Sequence, residues 1–348
     1  MAIQTTKRVL ALPGGGMRGY FQTVFMKILI DNYPFATPFY SNFDVICGTS
    51  IGCINALGIA AGKTPDQLSS IFTNEGQWIF TIRTDEDLAI NSDNASVPSN
   101  TPNGAQKAAL LIENDPFYRS VSSNSNYGHV RLYNVIDNVL GNVKLNELGT
   151  NVLLTAFDTT TSQPILFSNY ESVGYTGANQ LASYVAKTSS AAPIYLPAFE
   201  NYVDGGLAAN DPSPYGVTLA KRIAAANGED VTRMLVLNIG TGALPEADWS
   251  SNLSGIPFAG AGTLLSQILK ATLSAPNILN GNDLYYRDKY TLDDIFQYQA
   301  NPVLNDTDFD PSLDNSSPQF IEYMFNLAYY TFNSQRAEID IFMEKFFA

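Results

Sequence analysis

The first 62 residues alternate short apolar runs, glycine-rich turns and segments with helical spacing. Residues 8–12, "RVLAL", are mostly apolar and predict a buried strand, and the apolar positions within Tyr20–Asn32 follow helical spacing. The pattern repeats with a strand over residues 43–47, a tight turn at residues 48–52 and a helix over residues 51–61. Two strand–turn–helix units in succession predict an α/β sandwich built on a largely parallel sheet.

The rest of the chain continues this mixture of elements. Helices are predicted at residues 65–79, 105–118, 131–140, 180–188 and 214–226, and strands at residues 152–157, 164–168 and in the run "RMLVLNIGTG", which ends in glycines. Residues 84–104 are polar, which predicts a surface loop or a partly disordered flap. Because the pattern after Gly242 is mainly helical, we expect a catalytic domain over residues 1–242 and a helical C-terminal elaboration, residues 243–348, packed on the same domain.

Composition and charge narrow the class of protein. Of the 348 residues, 45% are hydrophobic, which is enough for a sizeable core. The net charge of −14 argues against nucleic-acid binding and repels anionic membranes. Two cysteines, Cys47 and Cys53, are no disulfide framework, and no segment has the pattern of a secretory signal or a bilayer span. We therefore expect a soluble, cytoplasmic protein that begins at or near residue 1.

The turn Gly48-Thr49-Ser50-Ile51-Gly52 carries the first candidate for chemistry. It is a G-x-S-x-G sequence placed directly between a predicted strand and a predicted helix. A serine on such a sharp turn exposes its hydroxyl, and the glycines remove side chains that would clash there. The amino end of the following helix favours the negative charge that forms on attack. Ser50 is therefore a candidate nucleophile, with a plain structural turn as the alternative.

The glycine-rich stretch at residues 14–19, "GGGMRG", is the second candidate. It satisfies the G-x-G-x-x-G dinucleotide fingerprint, but that motif predicts an acidic residue about 20 positions later, at the end of the second strand. That strand ends in "VICGTS", and Asp44 lies near its start. No lysine follows the glycines at the spacing of a phosphate-binding P-loop. The alternative is an oxyanion hole, in which the amides of Gly15 and Gly16 point at a developing negative charge.

A serine nucleophile needs a base. His129, the one histidine, lies at a predicted helix start and too early in the chain for the α/β-hydrolase order, which favours a surface or capping role. Asp204 follows an apolar approach in "YVDGGLAANDP" and precedes two glycines. An Asp-Gly pair alone is usually a turn. Ligand crevices in open α/β sheets lie at the carboxyl ends of strands, however, so three glycine-flanked strand ends can face one pocket, with Asp204 as the base.

Taken in order, these motifs resemble those of the patatin-like phospholipases. "GGGMRG" is similar to their oxyanion loop, "GTSIG" to their nucleophile elbow, "DGG" to the second half of their Ser–Asp dyad, and "TSSAAPIYLP" to the segment before the catalytic Asp. The matched motifs extend from Leu10 to Gly206, and nothing beyond about Gly242 matches. Pro13 departs from the family, because many members have Asp before the glycines.

The resemblance implies a three-layer, patatin-like sandwich that hydrolyses lipid acyl esters without histidine, metal or cofactor. Ser50 would attack the ester carbonyl, and Asp204 would accept its proton and later activate water. The implied site also includes an oxyanion hole of Gly14, Gly15 and Gly16 and a supporting set of Arg18, Gly19, Gly48, Gly52, Gly205 and Gly206. Arg18 is expected to brace the glycine loop, with contact to a lipid phosphate as the alternative.

The implied activity is that of a phospholipase A on membrane glycerophospholipids, with transient peripheral membrane contact. An activating ligand or protein is a further expected partner, because bacterial relatives in this family include effectors that are switched on. Two alternatives stay open: a neutral-lipid or small-ester hydrolase with the same chemistry, and a nucleotide-binding module that uses residues 14–19 and is indifferent to loss of Ser50. The oligomeric state is left open.

Two weaker patterns complete the sequence. Asp306, Asp308 and Asp310 alternate as in a calcium loop, but the glycine and glutamate that an EF-hand needs are missing, which favours a solvated acidic loop. Residues 320–347 are rich in aromatic residues and carry few cations. This composition favours a docking helix over a membrane or oligomer contact.

Overall fold

The computed structural model describes residues 3–80, 129–193, 195–243, 294–304, 310 and 312–348. Its strands are β1 (Ile3–Leu12), β2 (Val45–Gly48), β3 (Asn151–Asp158), β4 (Gln163–Ser168), β5 (Tyr202–Asp204), β6 (Glu229–Ile239) and β7 (Ile295–Ala300). Its α-helices are α1 (Tyr20–Asn32), α2 (Ile51–Ala60), α3 (Pro65–Ser70), α4 (Gly76–Ile79), α5 (His129–Leu140), α6 (Ala182–Ser189), α7 (Gly206–Ala209), α8 (Ser213–Ala226), α9 (Pro318–Ser334) and α10 (Arg336–Phe347). A π-helical segment (Ile71–Glu75) joins α3 to α4.

The described strands form one sheet in the order β4-β3-β2-β1-β6-β7, with β5 also paired to β3. The pairs β1–β2, β1–β6, β2–β3 and β6–β7 are parallel, whereas β4 and β5 run antiparallel to β3. Val9 of β1 lies between Val45 of β2 and Val236 of β6. The chain leaves β1 towards β2 and later returns to β1 on its other side, which creates a crevice at the carboxyl end of β1.

Helices cover both faces of this sheet. Successive side chains of a strand point to opposite faces, so Leu10 and Ile46 belong to a large core with α1 and α2, whereas Val9 and Val45 belong to a smaller core with α8. Each of these four side chains is fully buried. The predicted three-layer α/β sandwich with a mostly parallel central sheet is confirmed.

The C-terminal region is helical, as predicted, but it also contributes β7 to the sheet, which the sequence pattern did not predict. Residues 320–347, predicted as one helix, form α9 and α10, and residues 65–79 form α3, the π-helical segment and α4. Helix α9 docks on α1, where Phe332 packs edge-on against Phe25.

None of the helices described is long and apolar enough to cross a membrane. The predictions for residues 84–104 and 105–118 lie outside the described residues.

Candidate active site

Ser50 stands on the turn between β2 and α2. Its backbone angles, φ 57° and ψ −125°, are ones that residues other than glycine rarely adopt. The turn depends on glycine on both sides: a Cβ on Gly52 would lie 1.9 Å from the carbonyl oxygen of Leu12, and one on Gly48 would lie 2.3 Å from the carbonyl oxygen of Gly52. The G-x-S-x-G sequence therefore forms a strained, tightly packed turn that presents the Ser50 hydroxyl.

Asp204 is the last residue of β5 and is only 2% exposed. The Ser50 hydroxyl donates a hydrogen bond to Asp204 Oδ2 at 2.5 Å, and the amide of Gly206 donates to Asp204 Oδ1 at 2.7 Å. Gly205, between Asp204 and Gly206 in the chain, has no room for a side chain, because a Cβ there would be 2.2 Å from Thr155 Oγ1. The fold thus brings the two residues predicted as nucleophile and base into direct contact.

The electrostatic state of Asp204 suits proton transfer. Burial raises the pKa of the Asp204 carboxyl to about 6, and the hydrogen bonds from Ser50 and Gly206 act in the opposite direction. The carboxylate is therefore ionised at neutral pH, yet it is a stronger base than an exposed aspartate. This combination allows it to accept a proton from the hydroxyl that it already contacts.

The glycine loop, residues 14–16, follows β1 and faces the Ser50 turn, because a Cβ on Gly14 would lie 3.0 Å from Ser50 Cβ. The amide of Gly14 donates to the carbonyl oxygen of Asn210 at 3.2 Å. The amides of Gly15 and Gly16 have no hydrogen-bond acceptor among the residues described. Two free amides beside a nucleophile are the groups that an oxyanion hole needs.

Arg18 and Gly19 follow the glycine loop in the chain, and Arg18 also lines the cleft at Ser50. The Arg18 side chain is 6% exposed, and it donates to the carbonyl oxygens of Gly15 at 3.3 Å and Gly242 at 3.4 Å. Burial lowers the pKa of the Arg18 guanidinium to about 10. A Cβ on Gly19 would lie 2.5 Å from Ile51 Cγ1, so glycine there lets the loop approach α2. Arg18 therefore connects the glycine loop to the end of β6.

A cleft opens at Ser50 and Asp204, which both line it. Of its polar lining residues, Asp204 contacts Ser50 and Asn210 contacts Gly14, and most of the other lining residues are apolar. The apolar wall residues are Met17, Ile51, Ile54, Ile71, Phe72, Ile79, Phe80, Leu132, Ala192, Leu196 and Leu313. This mainly apolar lining suits a hydrocarbon chain whose polar end lies at Ser50.

Two polar residues that the sequence analysis did not single out hold the site in place. The amide of Ser50 donates to Ser189 Oγ at 2.9 Å, and Asn210 binds both polar groups of Gly14, accepting from its amide and donating to its carbonyl oxygen at 3.4 Å. Ser189 lies in the segment "TSSAAP" and Asn210 in "DGGLAAND", so both stand next to recognised motifs. Their partners depend on the folded topology, which residue type alone does not reveal.

Gln22 also supports the site, although its position within the mainly apolar helix α1 gave no sign of this in the sequence. It is fully buried, and its side-chain amide donates to the carbonyl oxygens of Pro13 at 2.8 Å and Ile239 at 2.9 Å. Its side-chain oxygen accepts from Asn55 on α2 at 2.9 Å. Gln22 therefore ties the glycine loop, the end of β6 and the nucleophile helix together.

The competing candidates fall elsewhere. The Asp44 carboxylate accepts from the amide of Arg8 at 2.7 Å and pairs with Lys7, at the end of the sheet opposite the glycine loop, so it is no partner for a ribose there. His129 begins α5, and its side chain lies outside the described part of the structure, as do Asp306 and Asp308. In the residues described, no group of three or more His, Cys, Asp or Glu could hold a metal ion.

Comparisons with known proteins identify the family of the chain. The chain matches the patatin-like phospholipase family over residues 10–215. Patatin-like protein 3 of Arabidopsis thaliana is 28% identical over 268 residues, which cover 68% of this chain and 59% of that protein. The cGAMP-activated phospholipase of Escherichia coli (strain TW11681) is 30% identical over 249 residues, which cover 67% of this chain and 62% of that protein. The chain thus spans about three-fifths of the length of these relatives.

Among solved structures, VipD from Legionella pneumophila aligns over 94% of this chain and 67% of VipD. The sequence identity is 14% and the TM-score is 0.43.

Proposed function

The chain belongs to the patatin-like phospholipase family, and on that premise we propose that it is a phospholipase A that releases fatty acids from glycerophospholipids. The observation that carries the proposal is the 2.5 Å hydrogen bond between Ser50 and the buried carboxylate of Asp204, two residues that line a mainly apolar cleft. A serine hydroxyl within hydrogen-bond reach of a base is the arrangement that nucleophilic catalysis requires.

In the acylation step, Ser50 Oγ attacks the ester carbonyl carbon while its proton passes to Asp204 Oδ2. The carbonyl oxygen becomes an oxyanion that accepts hydrogen bonds from the amides of Gly15 and Gly16. Losing one such donor typically costs about 2.7–4 kcal/mol of transition-state stabilisation. The ester C–O bond then breaks, and the leaving lysophospholipid alkoxide takes the proton from Asp204.

In the deacylation step, the acyl chain is an ester of Ser50. A water molecule attacks the acyl carbon as Asp204 accepts a proton from it, and the same two amides stabilise the second oxyanion. Collapse of this intermediate releases the fatty acid and returns the proton to Ser50. One carboxylate therefore acts as base and acid in both halves of the reaction.

We also propose that the protein acts in the cytoplasm and contacts membranes transiently through the exposed face of α9. Phe325, Tyr329 and Tyr330 are exposed on that helix, and the rings of Phe325 and Tyr329 lie 5.0 Å apart. Burial raises the pKa of Tyr20, and Tyr329 acts in the same direction; the ring of Tyr20 packs against Phe72 in the cleft wall. Aromatic side chains suit the membrane–water interface, so this face can bring the cleft to its substrate.

Activation by a ligand or a protein partner is a further part of the proposal. Its support is that the Escherichia coli relative is named a cGAMP-activated phospholipase. Fatty-acid release measured with and without cyclic dinucleotides tests this part. Unchanged release with every such ligand would contradict nucleotide activation.

The central experiment measures fatty-acid release from phospholipid vesicles and from a triglyceride emulsion, with chelator present. Wild type should favour the vesicles, and Ser50→Ala and Asp204→Asn should each abolish release. Asp44→Asn is the matched control, because that carboxylate lies at the far end of the sheet, and it should keep full activity. Preference for the emulsion would support the neutral-lipid alternative, and activity in Ser50→Ala would overturn the mechanism.

A further inference from the structure

The end of β6 is a fourth strand end with a glycine-flanked polar residue, Thr241 in "IGTG", and the mechanism above gives it no role. Strand β6 is parallel to β1 and directly adjacent to it, so both strands end at the same edge of the sheet. This places Thr241 beside the glycine loop on the side away from Ser50's strand, β2. The side chain is 2% exposed, so its hydroxyl needs a partner inside the protein.

That partner is the glycine loop. Thr241 Oγ1 donates to the carbonyl oxygen of Gly14 at 2.9 Å, which is shorter than the 3.4 Å contact from Asn210 to the same oxygen. The rest of the side chain packs against the next residue: a Cβ on Gly15 would lie 2.1 Å from Thr241 Oγ1 and 2.8 Å from its Cγ2 methyl group. The hydroxyl and the methyl group of Thr241 therefore both contact the glycine loop.

The hydrogen bond to Gly14 determines where the amide of Gly15 points. The carbonyl of Gly14 and the N–H of Gly15 belong to one planar trans peptide unit, in which the two groups point in opposite directions. Because the carbonyl is held towards Thr241, the N–H is turned away from β6. Gly15 lines the cleft, and its N–H has no acceptor among the residues described. A hydrogen bond to the carbonyl also polarises the peptide and strengthens its N–H as a donor.

The turn that carries Thr241 is itself fixed to β7. The amide of Gly240 donates to the carbonyl oxygen of Ala300 at 2.8 Å, and the amide of Gly242 donates to Asn301 Oδ1 at 2.9 Å. Both neighbours of Thr241 are thus anchored: Gly240 by the last residue of β7, and Gly242 by Asn301, which follows β7. A rigidly held donor can orient the glycine loop without reorganising during the reaction.

We propose that Thr241 is a positioning residue that orients the Gly15 amide towards the oxyanion through its hydrogen bond to Gly14. The inference rests on the proposed hydrolase function, because the oxyanion belongs to that reaction. Thr241 is not among the residues that line the cleft, and it acts through the glycine loop.

The test compares Thr241→Val, which keeps the shape and removes the hydroxyl, with Thr241→Ser, which keeps the hydroxyl and removes the methyl group. We measure kcat and KM on a soluble short-chain ester and the rate at which a fluorophosphonate modifies Ser50, with Ser50→Ala as the blank. Because loss of a whole oxyanion donor costs about 10²–10³ in kcat, Thr241→Val should lower kcat about 10- to 100-fold at unchanged KM, and Thr241→Ser should stay within about threefold of wild type. The fluorophosphonate rate should follow kcat, and the pH midpoint should not move.

The possible failures are separable. If Thr241→Val keeps wild-type kcat, or if both variants lose activity equally, the hydroxyl does not position the loop and the inference is overturned. Melting temperatures of all variants show whether each is folded, and Thr241→Ala replaces Thr241→Val if valine unfolds the chain. If wild type neither hydrolyses an ester nor reacts with the fluorophosphonate, the proposed function fails first, and the inference falls with it.

Discussion

At the scale of single residues, the chemistry depends on burying one carboxylate. Asp204 has no neighbouring histidine among the described residues, and burial raises its pKa to about 6 even though the hydrogen bonds from Ser50 and Gly206 act to lower it. A carboxylate with an ordinary pKa would be a poor base for a serine hydroxyl. In the proposed mechanism, burial therefore supplies part of the basicity that the histidine supplies in a Ser-His-Asp triad.

The first prediction concerns the pH dependence of the reaction. Asp204 must be ionised to accept the proton, so kcat/KM on a soluble ester should be constant above about pH 6 and fall about tenfold per pH unit below it. Steady-state kinetics between pH 4.5 and 8 check this, with Ser50→Ala as background. A profile with its midpoint near pH 4 would contradict a raised pKa of the Asp204 carboxyl.

The second prediction concerns stability. The folded-state pKa of Asp204 lies above its ordinary value of 3.8, so the fold penalises the ionised form. This penalty is fully present above about pH 6 and disappears as the pH falls towards 4. Since one pKa unit corresponds to about 1.4 kcal/mol, Asp204→Asn should stabilise the fold by up to about 3 kcal/mol at pH 7.5 and by much less at pH 4.5. Melting temperatures at the two pH values measure this, and a lower value for the variant at pH 7.5 would contradict it.

The sequence indicated Ser50 and Asp204 because glycines flank each of them at a strand end, and the structure places their side chains in contact. It did not indicate Ser189, Asn210 or Thr241 as site residues, since their importance lies in which strands end beside each other. Serine, threonine and asparagine also occur in ordinary turns, so residue type alone does not distinguish residues that hold the site from residues of an ordinary turn.

At the scale of elements, the sequence predicted most helices and strands because their apolar periodicity is clear. The polar half of β1 was missed, since Thr5 and Lys7 interrupt the pattern and are held instead by Glu229 of β6. Strand β7 was missed as well, because it is short and lies in a region whose pattern is mainly helical. Both omissions concern strands that owe their conformation to pairing with β6.

The third prediction tests the exposed face of α9 as the membrane contact. Phe325 and Tyr329 are 40% and 43% exposed, and burying half of an aromatic side chain in a lipid interface contributes about 1 kcal/mol. The double variant Phe325→Ser and Tyr329→Ser should therefore lower vesicle binding and vesicle hydrolysis about tenfold or more, while hydrolysis of a soluble ester stays unchanged. Vesicle co-sedimentation and parallel kinetics measure the two effects.

The control for this experiment is Tyr215→Ser. Tyr215 is a comparably exposed tyrosine, 37%, on α8, which covers the opposite face of the sheet. The Tyr215→Ser variant should therefore bind vesicles as well as wild type does. Equal losses on vesicles and on the soluble ester in the α9 variant would mean damage to the fold and would contradict a membrane role.

At the scale of the whole molecule, the site depends on chain segments far apart in sequence. The glycine loop lies near the beginning, yet the amide of Met17 donates to the carbonyl oxygen of Leu313 at 2.7 Å, and Phe25 of α1 stacks on Tyr298 of β7. We therefore propose that residues 243–348 are an elaboration of the same domain, with β7, α9 and α10 completing its core.

The fourth prediction follows from this dependence. A fragment of residues 1–242 lacks β7, α9 and α10, so it leaves β6 as an unpaired edge and uncovers α1. It should fail to melt cooperatively and should not react with a fluorophosphonate. Circular dichroism during heating checks the fold, with the full chain as the control, and a cooperative, reactive fragment would show that the first 242 residues form a domain alone.

The measurement that tests the central claim most directly is covalent labelling of Ser50 by a fluorophosphonate, located by peptide mass mapping. It needs no knowledge of the natural lipid, and the Ser50–Asp204 hydrogen bond is already formed in the structure. We expect rapid, stoichiometric modification of Ser50 in wild type and a rate at least about 100-fold lower in Asp204→Asn, since a general base typically contributes about 10²–10⁴-fold. Labelling at another residue, or equal rates in the two proteins, would contradict a Ser50–Asp204 dyad.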